Sequence, residues 1–260
     1  MSASGLLSWS PGGGLTPVAA AGGPLLAADS WLVREGRVRA YDRHRERFLR
    51  ACAECGGPGP RPLVEFWREV TAALPRTGEW FPRVELTAGS RELRLLLRHA
   101  PPLGAEIRLW AVGQEDPRTA PRRKGPDLDV LAEVRARAAA AGAQEAVLVG
   151  PSGVVRESPT AGVLWWEGDT LCLPPSRLPL LPSVTTALVL ERAVREGFRV
   201  DRRERTVAEL DGREVWTVNA LHGLRPVTGW AGADIEAGPA ARAAEFREWL
   251  EGVREPLPGA

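Results

Sequence analysis

All but one of the 34 basic residues in this 260-residue chain are arginine; the exception is Lys124. Lysine is ordinarily among the commonest residues, and a coding bias toward arginine, which also fits the abundance of Ala, Gly and Pro, accounts for its scarcity. A position that keeps lysine under such a bias is a candidate for chemistry a guanidinium cannot do: an amine that loses its proton and attacks a carbonyl. A Schiff base at Lys124 points to pyridoxal phosphate as the partner, and that cofactor makes two demands on the rest of the chain. It needs a phosphate cup, and an acid beside its pyridine nitrogen. Leu181-Pro182-Ser183-Val184-Thr185-Thr186 offers a helix N-terminus with free N–H groups and hydroxyls, which simple helix capping by Ser183 also explains. Cys52-Ala53-Glu54-Cys55 has the spacing of a redox or half-zinc motif, but no second such pair exists and the segment reads as a helix end, so no metal site is expected. Gly150-Pro151-Ser152-Gly153 lacks the Gly-Lys-Ser/Thr ending of a phosphate loop and reads as an ordinary connection.

The elements that must position these residues follow from periodicity and punctuation. A Gly/Pro-rich lead containing Gly12-Gly13-Gly14 precedes an extended region from Leu25 to Tyr41. Helical spacing then covers Arg43 to Cys55, ended by Gly56-Gly57-Pro58-Gly59-Pro60, and Pro62 to Leu74. Strands are expected at Phe81–Leu86, Glu92–Arg98 and Glu106–Val112; in the second, Leu93, Leu95 and Leu97 share one face. Residues 1–113 thus read as a smaller α+β domain. The polar, Pro-containing stretch 114–126, which carries Lys124, has the composition of an inter-domain connection. Residues 127–260 read as a larger domain. It holds a helix from Leu128 to Ala141, strands at Glu145–Val149, Gly162–Trp166 and Thr170–Leu173, and a helix from Val184 to Glu196. Strands at Phe198–Asp201 and Glu214–Val218 follow, then a terminal helix from Pro239 to Val253. Trp165-Trp166 fits strand packing better than ligand binding.

Composition narrows the function. A net charge of +1 with no long block of like charge argues against nucleic acid or an anionic membrane as the principal partner. No run approaches the roughly 18 apolar residues of a membrane span. Met1 to Leu7 lacks a basic segment before its apolar pair, so a soluble, cytoplasmic protein is expected. Three cysteines, an odd count, fit a reducing compartment rather than a disulfide framework.

One set of motifs in order carries a resemblance. Arg43-His44-Arg45-Glu46-Arg47, Phe81-Pro82-Arg83, Lys124, Gly142-Ala143-Gln144-Glu145-Ala146, Val154-Val155-Arg156-Glu157, Leu181 to Thr185, and Asn219-Ala220-Leu221 followed by Pro226-Val227 together resemble the class IV aminotransferases. These are the fold-type IV pyridoxal phosphate enzymes, which include branched-chain and D-amino-acid aminotransferases and aminodeoxychorismate lyase. The resemblance implies a two-domain α/β enzyme, a homodimer, with the cofactor at the domain interface and a small amino compound as substrate. It makes Lys124 the Schiff-base lysine and proton shuttle, and Glu157 the acid at the pyridine nitrogen. Arg47, Val184, Thr185, Ala220 and Leu221 become phosphate ligands, and Arg83 a substrate-binding arginine. The chain departs from the family at Gly162, where Asn is usual, at Ser183, where Gly is usual, and at Thr186, where Arg is common. Asp129 replaces a tyrosine of the branched-chain enzymes, and Asp127 a small polar residue of the lyase. Asn219-Ala220-Leu221 is similar to aminodeoxychorismate lyase, which releases pyruvate and 4-aminobenzoate. A D-amino-acid or branched-chain-type aminotransferase is the alternative, and the departures motivate a third reading, a catalytically degenerate homologue that binds without catalysis.

Overall fold

The computed structural model describes residues 5–19 and 23–259; Met1–Ser4 at the start of the chain lie outside them. The chain divides into two units. The first comprises 1–103, 123–126 and 253–260, and the second 104–122 and 127–252. The stretch 114–126 is therefore shared between them, and its first two residues still belong to a strand.

In the first unit the Gly-rich lead is a hairpin, β1 (Gly5–Ser10) and β2 (Gly14–Val18). Its turn uses Gly12 and Gly14 at φ 75° and 68°, a conformation that costs glycine nothing, so the glycines mark a tight connection where a bare lead was expected. The extended region resolves into β3 (Leu25–Ser30), β4 (Val33–Arg34) and β5 (Arg37–Arg39). Helices α1 (Tyr41–Glu54) and α2 (Pro60–Ala73) follow, the latter with proline in its first turn, where its missing N–H costs nothing. Then come β6 (Glu79–Trp80), β7 (Arg83–Thr87) and β8 (Leu93–Leu97). The order β2-β1-β8-β7-β3 makes one antiparallel sheet. Its apolar face, with Val84, Leu86, Leu93, Leu95 and Leu97, packs on Phe48, Phe66 and Trp67 of the two helices.

The second unit begins with β9 (Ile107–Glu115) and α3 (Leu128–Ala140). It continues through β10 (Glu145–Val149), β11 (Val155–Ser158), β12 (Ala161–Glu167), β13 (Thr170–Leu173), α4 (Val184–Arg195) and β14 (Arg199–Arg202). After a short 3-10 turn come β15 (Val215–Asn219), β16 (Gly223–Ala231) and α5 (Ala243–Gly252). The eight strands run β11-β10-β9-β16-β15-β12-β13-β14, and an additional β11–β12 pairing joins six of them into a ring. One face of the ring carries Ile107, Leu109, Val147, Val163, Trp165, Val215 and Val227. The other packs on α4 and α5 through Leu164, Trp166, Trp216 and Val218, and on α3 through Ala146 and Leu148. Trp165 and Trp166 are thus both buried in strand packing, one on each face. Finally β17 (Arg254–Pro256) returns to the first unit and pairs with β5 in the sheet β17-β5-β4-β6. There Leu257 is 1 % exposed and donates its N–H to the Gly36 carbonyl at 2.8 Å, and Arg76 binds the carbonyls of Leu257 and Pro258 at 3.0 Å each. Among the described residues no helix is long and apolar enough to cross a membrane.

Candidate functional site

In the first unit β3 is the last strand of its sheet, and residues 123–126 lie along it. Ala28 donates its N–H to the Lys124 carbonyl at 2.7 Å. Gly125, at φ 135°, sits against the β3 backbone so closely that a Cβ there would lie 2.8 Å from the Ala27 carbonyl carbon. No rotamer change relieves a clash with backbone. Gly125→Ala is therefore expected to destabilise the protein by about 1–3 kcal/mol and to displace Lys124; urea denaturation and the extent of covalent labelling of Lys124 check both effects.

The side chain of Lys124 is partly buried among cations. Burial, and next the Arg47 guanidinium, push its amine down to about 8; Asp29 opposes this, and Arg83 and Arg98 add to it. Arg47 stands one helical turn after His44 on α1, and both reach Asp29 on β3. Arg47 makes a two-point pair with that carboxylate, Nε to Oδ2 at 2.7 Å and Nη2 to Oδ1 at 2.8 Å. His44 Nδ1 lies 2.8 Å from Oδ1, and the Ser30 N–H donates to the same oxygen at 2.7 Å. Burial alone would raise the Asp29 carboxyl, but Arg47 and His44 outweigh it and hold the group well below the usual carboxylate range. Burial lowers His44 despite Asp29 beside it, so near neutral pH its ring is uncharged and Nδ1–H is the donor. Arg83 starts β7 and pairs with Glu85 Oε1, Nε at 2.7 Å and Nη2 at 2.6 Å. Arg98 donates Nε–H to the Phe81 carbonyl at 2.8 Å.

The second unit places Glu157, Gly162, Val218 and the start of α4 together. A register shift in the β10–β11 pairing between Leu148 and Val149 reverses the alternation of β11. Val155 therefore joins the inner apolar face, while Glu157, two residues on, points the other way beside its cross-strand partner Gly162, itself opposite Val218. Glu157 is 5 % exposed. Burial pushes its carboxyl up to about 7, against the opposing pull of Arg118. Arg118 Nη1 reaches Glu157 Oε1 at 2.5 Å, and the Leu181 N–H donates to the same oxygen at 3.1 Å.

Two departures from the expected family pattern meet here. A Cβ at residue 162 would lie 2.7 Å from Thr186 Oγ1, so the missing side chain at Gly162 makes room for the hydroxyl of Thr186. That oxygen is buried and has no hydrogen-bond partner among the described residues. Ser183 caps α4 by accepting the Thr186 N–H at 3.1 Å, and the N–H groups of Val184 and Thr185, both buried residues, have no acceptor among the described residues. Ala220 and Leu221 form the β15–β16 turn, where Asn219 Oδ1 accepts the His222 N–H at 2.8 Å. Asp127 is a structural clamp: its carboxylate holds the N–H groups of Thr119 and Ala120, both at 2.9 Å. Asp129 is exposed in the first turn of α3. Among the described residues no group of three or more His, Cys, Asp or Glu could hold a metal ion, and Cys52 and Cys55 are free thiols at the end of α1.

The family profile for amino-transferase class IV matches residues 26–230. The chain belongs to this family. Class IV aminotransferases use pyridoxal phosphate, and the chain is a pyridoxal phosphate enzyme of mixed α/β fold. Solved structures of the same fold include a hypothetical aminotransferase from Mycobacterium tuberculosis in its pyridoxal phosphate-bound form, with a TM-score of 0.76 and 20 % identity over 95 % of this chain and 98 % of that one. A branched-chain amino acid aminotransferase from Escherichia coli has a TM-score of 0.80 at 14 % identity, covering 96 % and 94 % of the two chains. A Legionella pneumophila protein assigned as a 4-amino-4-deoxychorismate lyase has a TM-score of 0.73 at 15 % identity, covering 87 % and 90 %. No curated protein matches the chain. Sequence reasoning passed over Asp29, Arg98 and Arg118. The arginines were hidden among many of their kind, and Asp29 is defined by its contacts to His44 and Arg47 on α1, which leave no local pattern.

Proposed function

We propose that Lys124 is the amine that binds the cofactor aldehyde and then moves a proton at the substrate carbon. The observation that carries this reading is the environment of the chain's one lysine, whose amine is held near 8 by burial and neighbouring arginines. The residues present fit pyridoxal phosphate. The orphaned buried hydroxyl of Thr186 and the free N–H groups of Val184 and Thr185 suit a phosphate, and Arg47 supplies a cation whose plane Asp29 fixes. Ala220 and Leu221 contribute from the β15–β16 turn. Glu157 takes the ring nitrogen. When bound, the cofactor supplies the electron sink for negative charge developing on the substrate carbon.

Arg83 and Arg98 beside the amine favour a substrate bearing a carboxylate. We take aminodeoxychorismate lyase activity as the leading reading, supported by the Asn219-Ala220-Leu221 turn and by the exposed Asp129 where branched-chain enzymes carry tyrosine. Amino-group transfer, with a D- or branched-chain amino acid, begins with the same proton movement at Lys124. Product analysis separates the two: pyruvate and 4-aminobenzoate from aminodeoxychorismate support the lyase, whereas keto acid formation from an amino acid panel overturns it. A protein that takes up no cofactor and turns over neither substrate supports the degenerate binding homologue. The homodimer is part of the same proposal, checked by light scattering.

A pH dependence follows. Only the neutral amine attacks an aldehyde, so the rate at which cofactor-free protein captures pyridoxal phosphate should rise with pH and level off above about 8. Stopped-flow absorbance measures it; a rate still climbing above pH 10 contradicts the depressed amine.

A further inference from the structure

Arg118 lies outside every motif used so far, yet it makes the shortest contact to Glu157. Its guanidinium is held at each nitrogen. Nε and Nη2 bind Asp116 Oδ1 and Oδ2, both at 2.8 Å, while Nη1 faces Glu157 Oε1 and lies 3.4 Å from the Pro121 carbonyl. Arg156 Nη1 adds a second cation to Asp116 Oδ2 at 3.1 Å. The side chains of Asp116 and Arg118 are 1 % and 6 % exposed. The four charges Arg156, Asp116, Arg118 and Glu157 thus form a buried row of alternating sign, running from β11 to the segment after β9 and back. A two-point arginine–carboxylate pair fixes the guanidinium plane as well as its charge. Among the described residues the contacts to Glu157, from Arg118 and from the Leu181 N–H, go to Oε1 and not to Oε2.

We propose that Arg118 is a positioning residue for Glu157: it pulls the buried carboxyl toward its ionised form and occupies Oε1, so that Oε2 is the oxygen offered to the ring nitrogen of the cofactor. This rests on the reading of Glu157 as the cofactor's carboxylate. Asp116 aims Arg118 through both of its oxygens, and Arg156 binds one of the same oxygens from the other side. The charged groups facing Glu157 are Arg118 and, behind it, Asp116, while the approach to α4 contributes only the Leu181 N–H.

The test uses full-length protein freed of cofactor and labelled with glutamate carrying carbon-13 at the carboxyl, the Glu157 resonance being assigned by its loss in Glu157→Gln. The native resonance should titrate near 7. In Arg118→Gln its midpoint should rise by about 1–3 pH units, the usual effect of removing a close opposite charge, and Arg118→Lys should restore most of the shift. An unchanged midpoint in Arg118→Gln overturns the proposal. If that variant fails to fold because Asp116 is left underpaired, Arg118→Gln with Asp116→Asn removes the pair together, and a rise is still required, smaller than in Arg118→Gln because Asp116 itself pushes the Glu157 carboxyl up; no rise overturns the proposal. The second readout is the dissociation constant of pyridoxal phosphate against pH by fluorescence. Arg118→Gln should bind more weakly at pH 7 and recover at higher pH, whereas a loss equal at all pH values overturns the role in ionisation. In Glu157→Gln the further change Arg118→Gln should have no added effect. If Glu157→Gln binds the cofactor as the native protein does, the reading of Glu157 fails, while the titration still decides what Arg118 does to that carboxyl.

Discussion

Lys124→Met is expected to fold, to retain no covalently bound cofactor, and to lose activity by a factor on the order of 10³ or more, since it removes both the attacking amine and the proton carrier. Borohydride reduction followed by peptide mass analysis checks this: the native protein should carry the added mass on Lys124, and the variant should carry none on any residue. An adduct elsewhere overturns the assignment. The same variant tests the stability cost of the site. An amine lowered to about 8 in the folded protein and ordinary, near 10.4, when unfolded means that the unfolded chain binds more protons between those pH values. Native stability should therefore rise with pH across that window through this group. Lys124→Met lacks that dependence and should be at least as stable as the native protein at pH 7.

Asp29→Asn should have the largest effect on stability. It leaves Arg47 and His44 facing a neutral amide at a position that is itself fully buried, and breaking a buried pair by neutralising one partner costs about 3–5 kcal/mol. The midpoint of urea unfolding should fall with an unchanged slope, and affinity for pyridoxal phosphate should fall with it as Arg47 loses its fixed orientation. Because the folded pKa of Asp29 is depressed, its contribution is present above the unfolded value and is lost as pH falls below about 4. Native protein should thus lose stability in acid more steeply than the variant. Equal acid sensitivity would show that Asp29 is not the group responsible.

How much of this was legible in the sequence depends on what kind of signal each residue leaves. Lys124 was legible because it is one of a kind. Ser183 and the start of α4 were legible because a cap has a local grammar, and the observed helix begins at Val184 as its pattern indicated. The hairpin of β1 and β2 was missed because glycines that mark a tight turn and glycines that mark a loose lead look alike until the partner strand is known. Asp29 and Arg118 left no local signal. Each is defined by a contact across the fold, from β3 to α1 and from the segment after β9 to β11, and a bias that fills the chain with arginine hides the one that pairs. Gly162 and Thr186 were read as separate departures, and only their contact makes them a single exchange.

The return of β17 to β5 also has a consequence for how the protein is made. Residues 5–103 contain most of the first unit, yet until residue 126 has been synthesised β3 lacks the segment that lines it, and until Leu257 arrives β5 has an open side. Both are unpaired strand edges of the kind that recruit other chains. During translation this unit must wait, nearly finished, for the whole of the second to emerge. Ribosome-bound chains ending before residue 253 should therefore be the aggregation-prone species, and the ones that most need a chaperone.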